Sequence, residues 1–256
     1  MDDAVAIVSG GAEGLGQAFA SCLAEAGYRV LAFDIKPQTY QHDGVTFLMA
    51  DIRSRGDVED VVATATEMGA LNIVVNNAGV WRRTPVDSEW QQTLADWDEI
   101  MDTNLKGTMM LSRAAIPYLK DQGGHIINVS TYYVLPARST GTNQPDTDLY
   151  NASKWALNGF TDAWSKSLAK YDITVNGMCM AAVDTPMLRG FFPNGVLPDA
   201  LQQDLLSAHE LAQQLLDIIA SGRSGENFGA WNGEPVSIGT PPPPHQRITG
   251  VTDEPL

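Results

Sequence analysis

Short apolar runs of strand length alternate along the chain with longer segments in which apolar residues recur at helical spacing. The runs that predict strands are residues 5–8, 29–33, 46–49, 71–75, 125–129 and 173–176. The segments that predict helices are residues 17–26, 57–68, 94–119, 149–170 and 210–219. Strands that alternate with helices in this way form repeated β-α units around a parallel sheet. We therefore predict an α/β fold in which a doubly wound parallel sheet carries helices on both faces.

Two stretches fall outside this alternation. Residues 138–148 are rich in Ser, Thr, Gly, Asn and Pro, and that composition predicts a surface loop inserted before the helix at 149–170. The run Pro241–Pro244 cannot join a helix or a central strand, so residues 240–256 are predicted to be an extended tail, either disordered or packed on a neighbouring subunit. A chain of 256 residues suits one domain with a large core, and we expect that domain to span residues 1–239.

Composition narrows the classes of partner. The formal net charge is −15 at pH 7, without a basic stripe to offset it, which argues against nucleic acid and anionic membranes. The two cysteines, Cys22 and Cys179, are far apart in sequence and predict neither a disulfide framework nor a zinc site, so no metal is expected and both should be buried. Because the first residues lack the features of a signal peptide and no apolar run is long enough to cross a membrane, we expect a cytoplasmic protein.

A glycine-rich string lies between the first strand and the first helix, where a backbone can approach a pyrophosphate at a helix N-terminus. Its predicted cofactor contacts are Gly10, Gly14, Leu15 and Gly16. Asp34 ends the second strand, where a carboxylate accepts hydrogen bonds from both adenosine-ribose hydroxyls in a Rossmann fold. Asp34 and Glu13 would both repel a 2′-phosphate, so NAD is predicted over NADP. The alternative is a tight turn followed by an ordinary strand-ending aspartate.

Tyr150 and Lys154 are four residues apart in a predicted helix and therefore share one face of it. A lysine cation, together with the positive ring of an oxidised nicotinamide, favours the phenolate and lowers the pKa of a tyrosine from its usual value near 10. Such a phenol serves as a general acid or base. Taken alone, the pair is more often an ordinary pair on a surface helix.

The pair does not stand alone, because over about residues 4–190 the chain resembles the short-chain dehydrogenase/reductase family. The motifs that carry the resemblance occur in the family's order and approximate spacing. They are the glycine string, Asp51-Ile52, Asn76-Asn77-Ala78-Gly79, Asn104 in Asn-Leu-Lys-Gly, and Tyr150 with Lys154.

The resemblance implies a role for each matching position. The further cofactor contacts would be Asp51 and Ile52 at the adenine, Asn77, Ala78 and Gly79 along the cleft, and Val183 and Thr185 at the carboxamide. Asn104 would kink its helix and hold a proton-relay water, Lys154 would bind the nicotinamide ribose, and Tyr150 would exchange a proton with the substrate oxygen. The resemblance also implies a homo-tetramer or dimer in which the two long helices pack across a twofold axis.

The chain departs from the family pattern near the substrate. The substrate-orienting serine is replaced by Thr131, whose hydroxyl donates as serine's does while its methyl narrows the pocket; Ser130 is the alternative. The gap from Thr131 to Tyr150 is nineteen residues, longer than usual, which the loop at 138–148 explains. Met180-Ala181 stands where Pro-Gly is common, and Met180 is expected near the substrate cavity.

The segment after Thr185 predicts an apolar lid. Its apolar residues are Met187, Leu188, Phe191, Phe192, Val196 and Leu197. With Trp81 and Tyr132, the lid favours a hydrophobic alcohol or ketone, although a lid packed on its own core is an equal alternative. Arg82 and Arg83 leave open an anionic substrate group.

These observations predict an NAD(H)-dependent oxidoreductase that interconverts a hydrophobic secondary alcohol and its ketone, with Asn104, Thr131, Tyr150 and Lys154 as the catalytic set. The alternatives are a carbonyl reductase of a biosynthetic route and a non-catalytic NAD-sensing protein with the same fold.

Overall fold

The computed structural model describes residues 3–135, 145–202, 205–231 and 235–238. Within these residues eight strands form one sheet in the order β3-β2-β1-β4-β5-β6-β7-β8. The strands are β1 (Ala4–Ser9), β2 (Arg29–Asp34), β3 (Val45–Met49), β4 (Ala70–Asn76), β5 (Gly124–Thr131), β6 (Ile173–Met180), β7 (Asn227–Ala230) and β8 (Ser237–Ile238). Neighbouring strands are parallel except for β8, which runs antiparallel to β7. The predicted doubly wound sheet is confirmed.

The helices lie between the strands on both faces of this sheet. They are α1 (Gly14–Glu25), α2 (Arg55–Met68), α3 (Trp90–Met101), α4 (Thr108–Leu119), α5 (Asp148–Leu168), α6 (Pro186–Arg189), α7 (Asp199–Gln202) and α8 (Ala208–Ala220). Local sequence sets several of their ends. Ser54 caps α2 by accepting a hydrogen bond from the Asp57 N–H, and Ser207 and Glu210 form a reciprocal capping box at the start of α8.

Two predicted elements differ most from the structure. The single helix predicted at residues 94–119 is two helices separated by a π-helical segment, Asp102–Gly107, and the first of them begins at Trp90. The π-helical turn adds a residue to the helical repeat, which the apolar spacing alone does not reveal. The strand predicted at 173–176 continues to Met180, because β6 pairs with β5 from Gly124↔Ile173 to Thr131↔Met180.

The core has two layers, one on each face of the sheet. Alternate residues of β1 point to opposite faces, so Val8 packs with α1 and α8 while Ile7 packs with α2 and α4. Both residues are fully buried. Burial on both faces explains why the strands are nearly continuous apolar runs. Cys22 and Cys179 are buried, as predicted.

A chain of buried polar side chains fastens the helices of one face to the sheet. The Asn76 amide nitrogen donates to the Ser112 hydroxyl on α4 and to Asn128 Oδ1 on β5, at 2.9 Å each. The Asn128 amide then donates to the Thr161 hydroxyl on α5 at 3.0 Å. Because buried polar groups are costly without partners, this network fixes how α4 and α5 sit on the strands.

The inserted loop joins α5 at a fixed point. Residues 138–144 of the predicted loop lie outside the described residues, whereas Asp148 already belongs to α5, one residue before the predicted helix start. Thr147 forms a parallel bridge with Thr84, and the Thr84 N–H donates to the Asp146 carbonyl at 2.7 Å. The predicted tail at 240–256 also lies outside the described residues. None of the helices in the described ranges combines the length and the apolarity that crossing a membrane requires.

Candidate active site

The site lies at the carboxyl edge of the sheet, where β1 stands between β2 and β4. The chain connects outward in one direction from β1 to β3 and then returns to continue from β4, so a crevice opens above the carboxyl ends of β1 and β4. The glycine loop follows β1, Asp34 ends β2, and Asn77 follows β4. The fold therefore brings three separate sequence motifs to one crevice.

The glycine loop adopts a conformation that larger residues would not tolerate. Gly10 and Gly14 have φ of +69° and +59°, in the left-handed region that favours glycine. A Cβ on Gly16 would lie 2.0 Å from the Gly10 carbonyl oxygen. Since α1 starts at Gly14 and Glu13 makes no side-chain cap, the first N–H groups of α1 have no side-chain acceptor. Such a helix start fits a pyrophosphate group.

Ser9, which the sequence motifs did not single out, ties the glycine loop to the end of β4. Its hydroxyl oxygen accepts hydrogen bonds from the N–H groups of Asn77 and Ala78, both at 3.0 Å. The Asn77 amide in turn donates to the carbonyls of Ser9 and Gly10, at 2.9 and 3.1 Å. The side chain of Asn77 thus holds the glycine loop against the end of β4. The only sequence signal for Ser9 is its place between a buried strand and the glycines.

Asp34 ends β2 beside the glycine loop. One carboxylate oxygen accepts from the Ala12 N–H at 3.3 Å and the other from the Lys36 N–H at 3.1 Å. The Lys36 ammonium forms an ion pair with the Glu13 carboxylate at 2.6 Å. Two carboxylates therefore frame this end of the cleft, and the nearby cation is already paired.

The two residues predicted at the adenine are held differently. Arg53 binds the Asp51 carboxylate through Nε and Nη2, at 3.0 and 2.7 Å to Oδ2. This hydrogen bonding lowers the pKa of Asp51. Ile52 is buried, and a Cβ on Gly107 would come within 2.9 Å of it, so the π-helical segment packs closely on this wall.

Helix α5 presents Tyr150 and Lys154 on one face, with the Lys154 Nζ 5.8 Å from the centre of the Tyr150 ring. Lys154 is 6% exposed, and its ammonium donates to the Val129 carbonyl at 2.9 Å. A Cβ on Gly79 would lie 3.6 Å from the same nitrogen, which brings the end of β4 against the lysine. Burial lowers the pKa of Lys154 to about 8, against a smaller opposing effect of Cys179.

The expected lowering of the Tyr150 pKa relied on the nicotinamide cation together with Lys154, and burial acts in the opposite direction. Burial of the phenol raises its pKa above the usual value of 10, and the neighbouring Tyr133 raises it further. Desolvation disfavours both the phenolate and the lysine cation, so Lys154 alone does not lower the raised pKa of Tyr150.

Asn104 lies in the π-helical segment and is 1% exposed. Its Oδ1 accepts from the Val80 N–H at 2.7 Å, and its amide nitrogen donates to the Val80 carbonyl at 2.9 Å. The same nitrogen donates to the Ser153 hydroxyl at 3.1 Å, which donates to the Tyr150 carbonyl at 2.7 Å. Asn104 therefore joins the loop after β4 to the first turn of α5. Ser153 was missed, although it directly precedes Lys154.

Thr131 and Ser130 differ in what their hydroxyls face. The Thr131 hydroxyl oxygen accepts from the Tyr133 N–H at 3.4 Å, so its proton is free to donate elsewhere. Ser130 is 1% exposed and pairs in register with Cys179, toward which its hydroxyl turns. Burial raises the pKa of the Cys179 thiol to about 12, with Ser130 opposing the shift. Adjacent strand residues point to opposite faces, so the two hydroxyls cannot replace each other.

The lid, residues 186–197, begins against the glycine loop. A Cβ on Gly14 would lie 3.2 Å from Pro186, and the Thr185 hydroxyl caps α6 by accepting from the Leu188 N–H at 3.2 Å. Leu197 is buried in the core, whereas Phe191 is 41% exposed. Val183 is buried beside Leu206. Only part of the lid is therefore packed on the protein's own core.

The structure revises two expectations about residues near the substrate, one for Met180 and one for Arg82 and Arg83. Met180, expected near the substrate cavity, is partly buried and packs against the core on the α1 and α8 side. Arg82 and Arg83 both have acidic partners: Arg82 pairs with Glu99 at 2.6 Å and Arg83 with Asp146 at 3.0 Å. With their charges compensated, these arginines offer little attraction to an anionic substrate.

Comparison with known sequences gives a consistent result. The family model described as short chain dehydrogenase matches residues 4–194. An uncharacterized oxidoreductase of Staphylococcus aureus strain USA300 is 28% identical over 202 residues, which span 75% of this chain and 84% of that protein. An uncharacterized oxidoreductase of Staphylococcus epidermidis is 30% identical over 194 residues, spanning 73% of this chain and 80% of the relative.

Solved structures agree with the fold. The aldohexose dehydrogenase of Thermoplasma acidophilum, in ligand-free form, superposes with a TM-score of 0.78 at 24% identity, over 89% of this chain and 92% of that one. The 3-ketoacyl-(acyl-carrier-protein) reductase of Brucella melitensis, complexed with NADH, gives a TM-score of 0.75 at 25% identity, over 90% and 97%. The sequence match runs from β1 into the lid, which is the stretch that carries the crevice.

Proposed function

The chain belongs to the short-chain dehydrogenase family, and from that premise we propose that it interconverts a hydrophobic secondary alcohol and its ketone with NAD(H). The observation that carries the proposal is the pairing of Tyr150 with Lys154 on one face of α5, beside the crevice that the glycine loop opens. Lys154 also lies against Gly79 at the end of β4. Oxidoreductase activity follows from the family; the cofactor and the substrate class are the proposal.

The crevice fits a dinucleotide, and several residues would hold it. The N–H groups at the start of α1 would bind the pyrophosphate, and Asp34 the adenosine ribose. The acidic surroundings of that ribose favour NAD over NADP, because a 2′-phosphate would meet Asp34 and Glu13. Lys36, the nearby cation, is paired with Glu13 at 2.6 Å.

The chain's own groups supply proton transfer and orientation, while the bound cofactor supplies hydride transfer at the substrate carbon. Tyr150 would exchange a proton with the substrate oxygen, and Thr131 would donate a hydrogen bond to the same oxygen. Lys154, held by the Val129 carbonyl, would contact the nicotinamide ribose and contribute positive charge near the phenol. Asn104 and Ser153 keep the first turn of α5 in place.

The raised pKa of Tyr150 bears on the direction of the reaction. A neutral phenol donates a proton, which ketone reduction requires, whereas alcohol oxidation requires the phenolate. We therefore expect reduction to proceed at neutral pH and oxidation to need alkaline pH. A carbonyl reductase of a biosynthetic route is the second candidate, although Asp34 and Glu13 favour NADH over the NADPH that such routes commonly use.

An apolar substrate is proposed because the lid and the loop after β4 offer rings and alkyl groups to the crevice. Trp81 and Phe191 are in ring contact, with centroids 4.0 Å apart. The arginines that would favour an anion are paired with Glu99 and Asp146.

We propose further that the protein is a homo-oligomer that acts on small molecules, without nucleic acid or membrane partners, in the cytoplasm. On the outer surface, Trp155 of α5 and Tyr118 of α4 are 41% and 43% exposed. A Cβ on Gly159 would meet nothing within 4 Å, so glycine is not required there by the chain itself. A second copy packed closely on α5 would account for that glycine and cover Trp155. Sedimentation of the wild type and of Gly159→Arg tests this: a smaller species is expected for the variant, and a monomeric wild type would refute it.

The test of the proposed reaction is NADH formation at alkaline pH with a panel of apolar secondary alcohols, with NADP and polar alcohols as parallel sets. Tyr150→Phe should lose at least about a hundredfold in turnover while NADH binding is kept. Activity with NADP alone would contradict the cofactor assignment, and unaltered turnover of the variant would contradict the mechanism. NAD binding without turnover on any substrate would favour the sensing alternative.

A further inference from the structure

Trp81 follows the end of β4 in a loop that is fixed on both sides. The preceding residue, Val80, is held by both ends of the Asn104 side-chain amide, at 2.7 and 2.9 Å. The following residue, Arg82, pairs with Glu99 and also donates to the Trp81 carbonyl at 3.0 Å. The indole therefore projects from backbone that cannot shift without breaking these bonds.

This fixed indole lies near the reacting groups. Gly79 precedes Trp81 by two residues, which span at most about 7 Å of extended chain. A Cβ on Gly79 would lie 3.6 Å from the Lys154 Nζ. Trp81 thus stands at the rim of the crevice in which Tyr150 and Lys154 are found.

Phe191 belongs to the lid, which is folded as a small unit of its own. Arg189 forms a bidentate ion pair with Asp184, at 2.6 and 2.8 Å, and donates to the Gly195 carbonyl at 3.0 Å. The Phe191 N–H bonds to the Leu188 carbonyl at 3.1 Å. These bonds lie within residues 184–195, so they hold the shape of the lid without fixing it to the loop that carries Trp81.

The contact between the two rings is close but poorly stacked. Their centroids are 4.0 Å apart and their planes are inclined by 41°, and Phe191 remains 41% exposed. A tilted pair of this kind lacks the offset-stacked or edge-to-face arrangement that aromatic rings prefer. A flat ring placed between them, with each partner about 4 to 5 Å from its centre, would satisfy both faces once the lid carried Phe191 outward by about 4 to 6 Å.

We propose that Trp81 and Phe191 are specificity-determining residues that clamp a ring of the substrate, so that the enzyme selects ring-bearing secondary alcohols over open-chain ones of equal carbon number. This inference rests on the proposed function and names its substrate class. Trp81 is the fixed side of the clamp, and Phe191 is the side that the lid delivers.

The experiment compares kcat/KM for 1-phenylethanol and 2-octanol, which have the same number of carbon atoms, in the wild type, Trp81→Leu and Phe191→Leu. The wild type should prefer the ring-bearing alcohol, and each variant should reduce that preference by about three- to tenfold, mainly through KM. Trp90→Leu is the matched control, because Trp90 is 78% exposed on α3 and makes no ring contact within the described residues. Its preference should equal that of the wild type.

Equal losses for both alcohols in Trp81→Leu and Phe191→Leu would overturn the clamp, because they would show a general lid closure without selection for rings. If neither alcohol is turned over, the proposed reaction fails, and the clamp is judged separately by calorimetry of acetophenone and 2-octanone with the NADH complex. Tighter binding of acetophenone that both variants abolish supports the clamp, and equal binding of the two ketones refutes it.

Discussion

The side-chain amide of Asn104 donates to the Ser153 hydroxyl at 3.1 Å, and through it reaches the backbone of Tyr150. The two residues are far apart in sequence, one in the π-helical segment and the other on α5. Their hydrogen bond links the loop after β4 to the first turn of α5, so it sets the position of Tyr150 relative to the cofactor cleft.

Ser153→Ala should therefore lower kcat more than it raises KM, because Tyr150 would lose its support while the cofactor and substrate contacts remain. Leaving the Asn104 donor without this buried acceptor should also destabilise the fold by about 1–3 kcal/mol. Ser112→Ala is the control, since Ser112 also accepts one buried amide hydrogen bond, from Asn76 at 2.9 Å. Comparable loss of stability with unchanged kcat is expected there. Equal effects of both variants on kcat would contradict a positioning role for Ser153.

Lys154 should make stability depend on pH in a specific direction. Its pKa is about 8 in the folded protein, below the ordinary value of 10.5. Between these values the unfolded chain still binds a proton that the folded chain has released, so raising the pH favours folding by up to about 1.4 kcal/mol per unit. Buried Cys179, whose pKa is raised, acts in the opposite direction at higher pH.

For that reason the measurement is the difference in unfolding free energy between the wild type and Lys154→Met, without cofactor, from pH 7 to 10. The unfolding free energy of the wild type should increase relative to that of the variant as the pH rises above 8. A difference that stays constant across this range would show that the lysine is not desolvated as the structure has it.

Glu13→Gln should improve the binding of NADP, because it removes one carboxylate and frees Lys36 for the 2′-phosphate. Exposed ion pairs contribute about 0.2–1 kcal/mol, so a two- to fivefold tighter Kd is expected, measured by calorimetry with NAD as reference. Glu59→Gln removes the same charge from the exposed pair with Arg55 on α2 and should leave the NADP affinity unchanged. An identical gain in both variants would indicate net charge alone.

Gly16→Ala should both destabilise the fold and weaken binding of the cofactor. The new methyl group would meet the Gly10 carbonyl, 2.0 Å from the Cβ position, and backbone on both sides must move to relieve it. We expect a loss of more than about 2 kcal/mol in thermal or denaturant unfolding. Gly56→Ala in α2 is the comparison, because its nearest neighbour is 4.0 Å away, and it should be neutral or slightly stabilising. A neutral Gly16→Ala would mean that the loop and α1 are less closely packed than described.

The order of strands and helices was predictable because both faces of the sheet are covered, which makes each strand a continuous apolar run. The apolar spacing did not predict the π-helical segment, since one extra residue in a turn hardly changes which positions are apolar over residues 94–119. The end of β6 was missed for a related reason: Cys179 and Met180 are set into the strand by pairing with β5, a contact that local sequence does not encode.

Some residues of the site were likewise predictable from local sequence and others were not. Tyr150, Lys154 and the glycines have distinctive spacing, whereas Ser9 and Ser153 are single serines whose partners lie far away in the chain. The direction of the Tyr150 pKa shift depends on burial, which requires the assembled fold. The compensation of Arg82 and Arg83 also became visible only when Glu99 and Asp146 were brought beside them.

The bridge between Thr84 and Thr147 ties the start of α5 to the loop after β4. It anchors the chain immediately before α5, so the length of the preceding loop does not determine where α5 starts. Insertions there cost little, because loop-closure entropy grows slowly with length. The sequence at positions 138–144 can therefore be lengthened or exchanged while Tyr150 and Lys154 keep their place on α5.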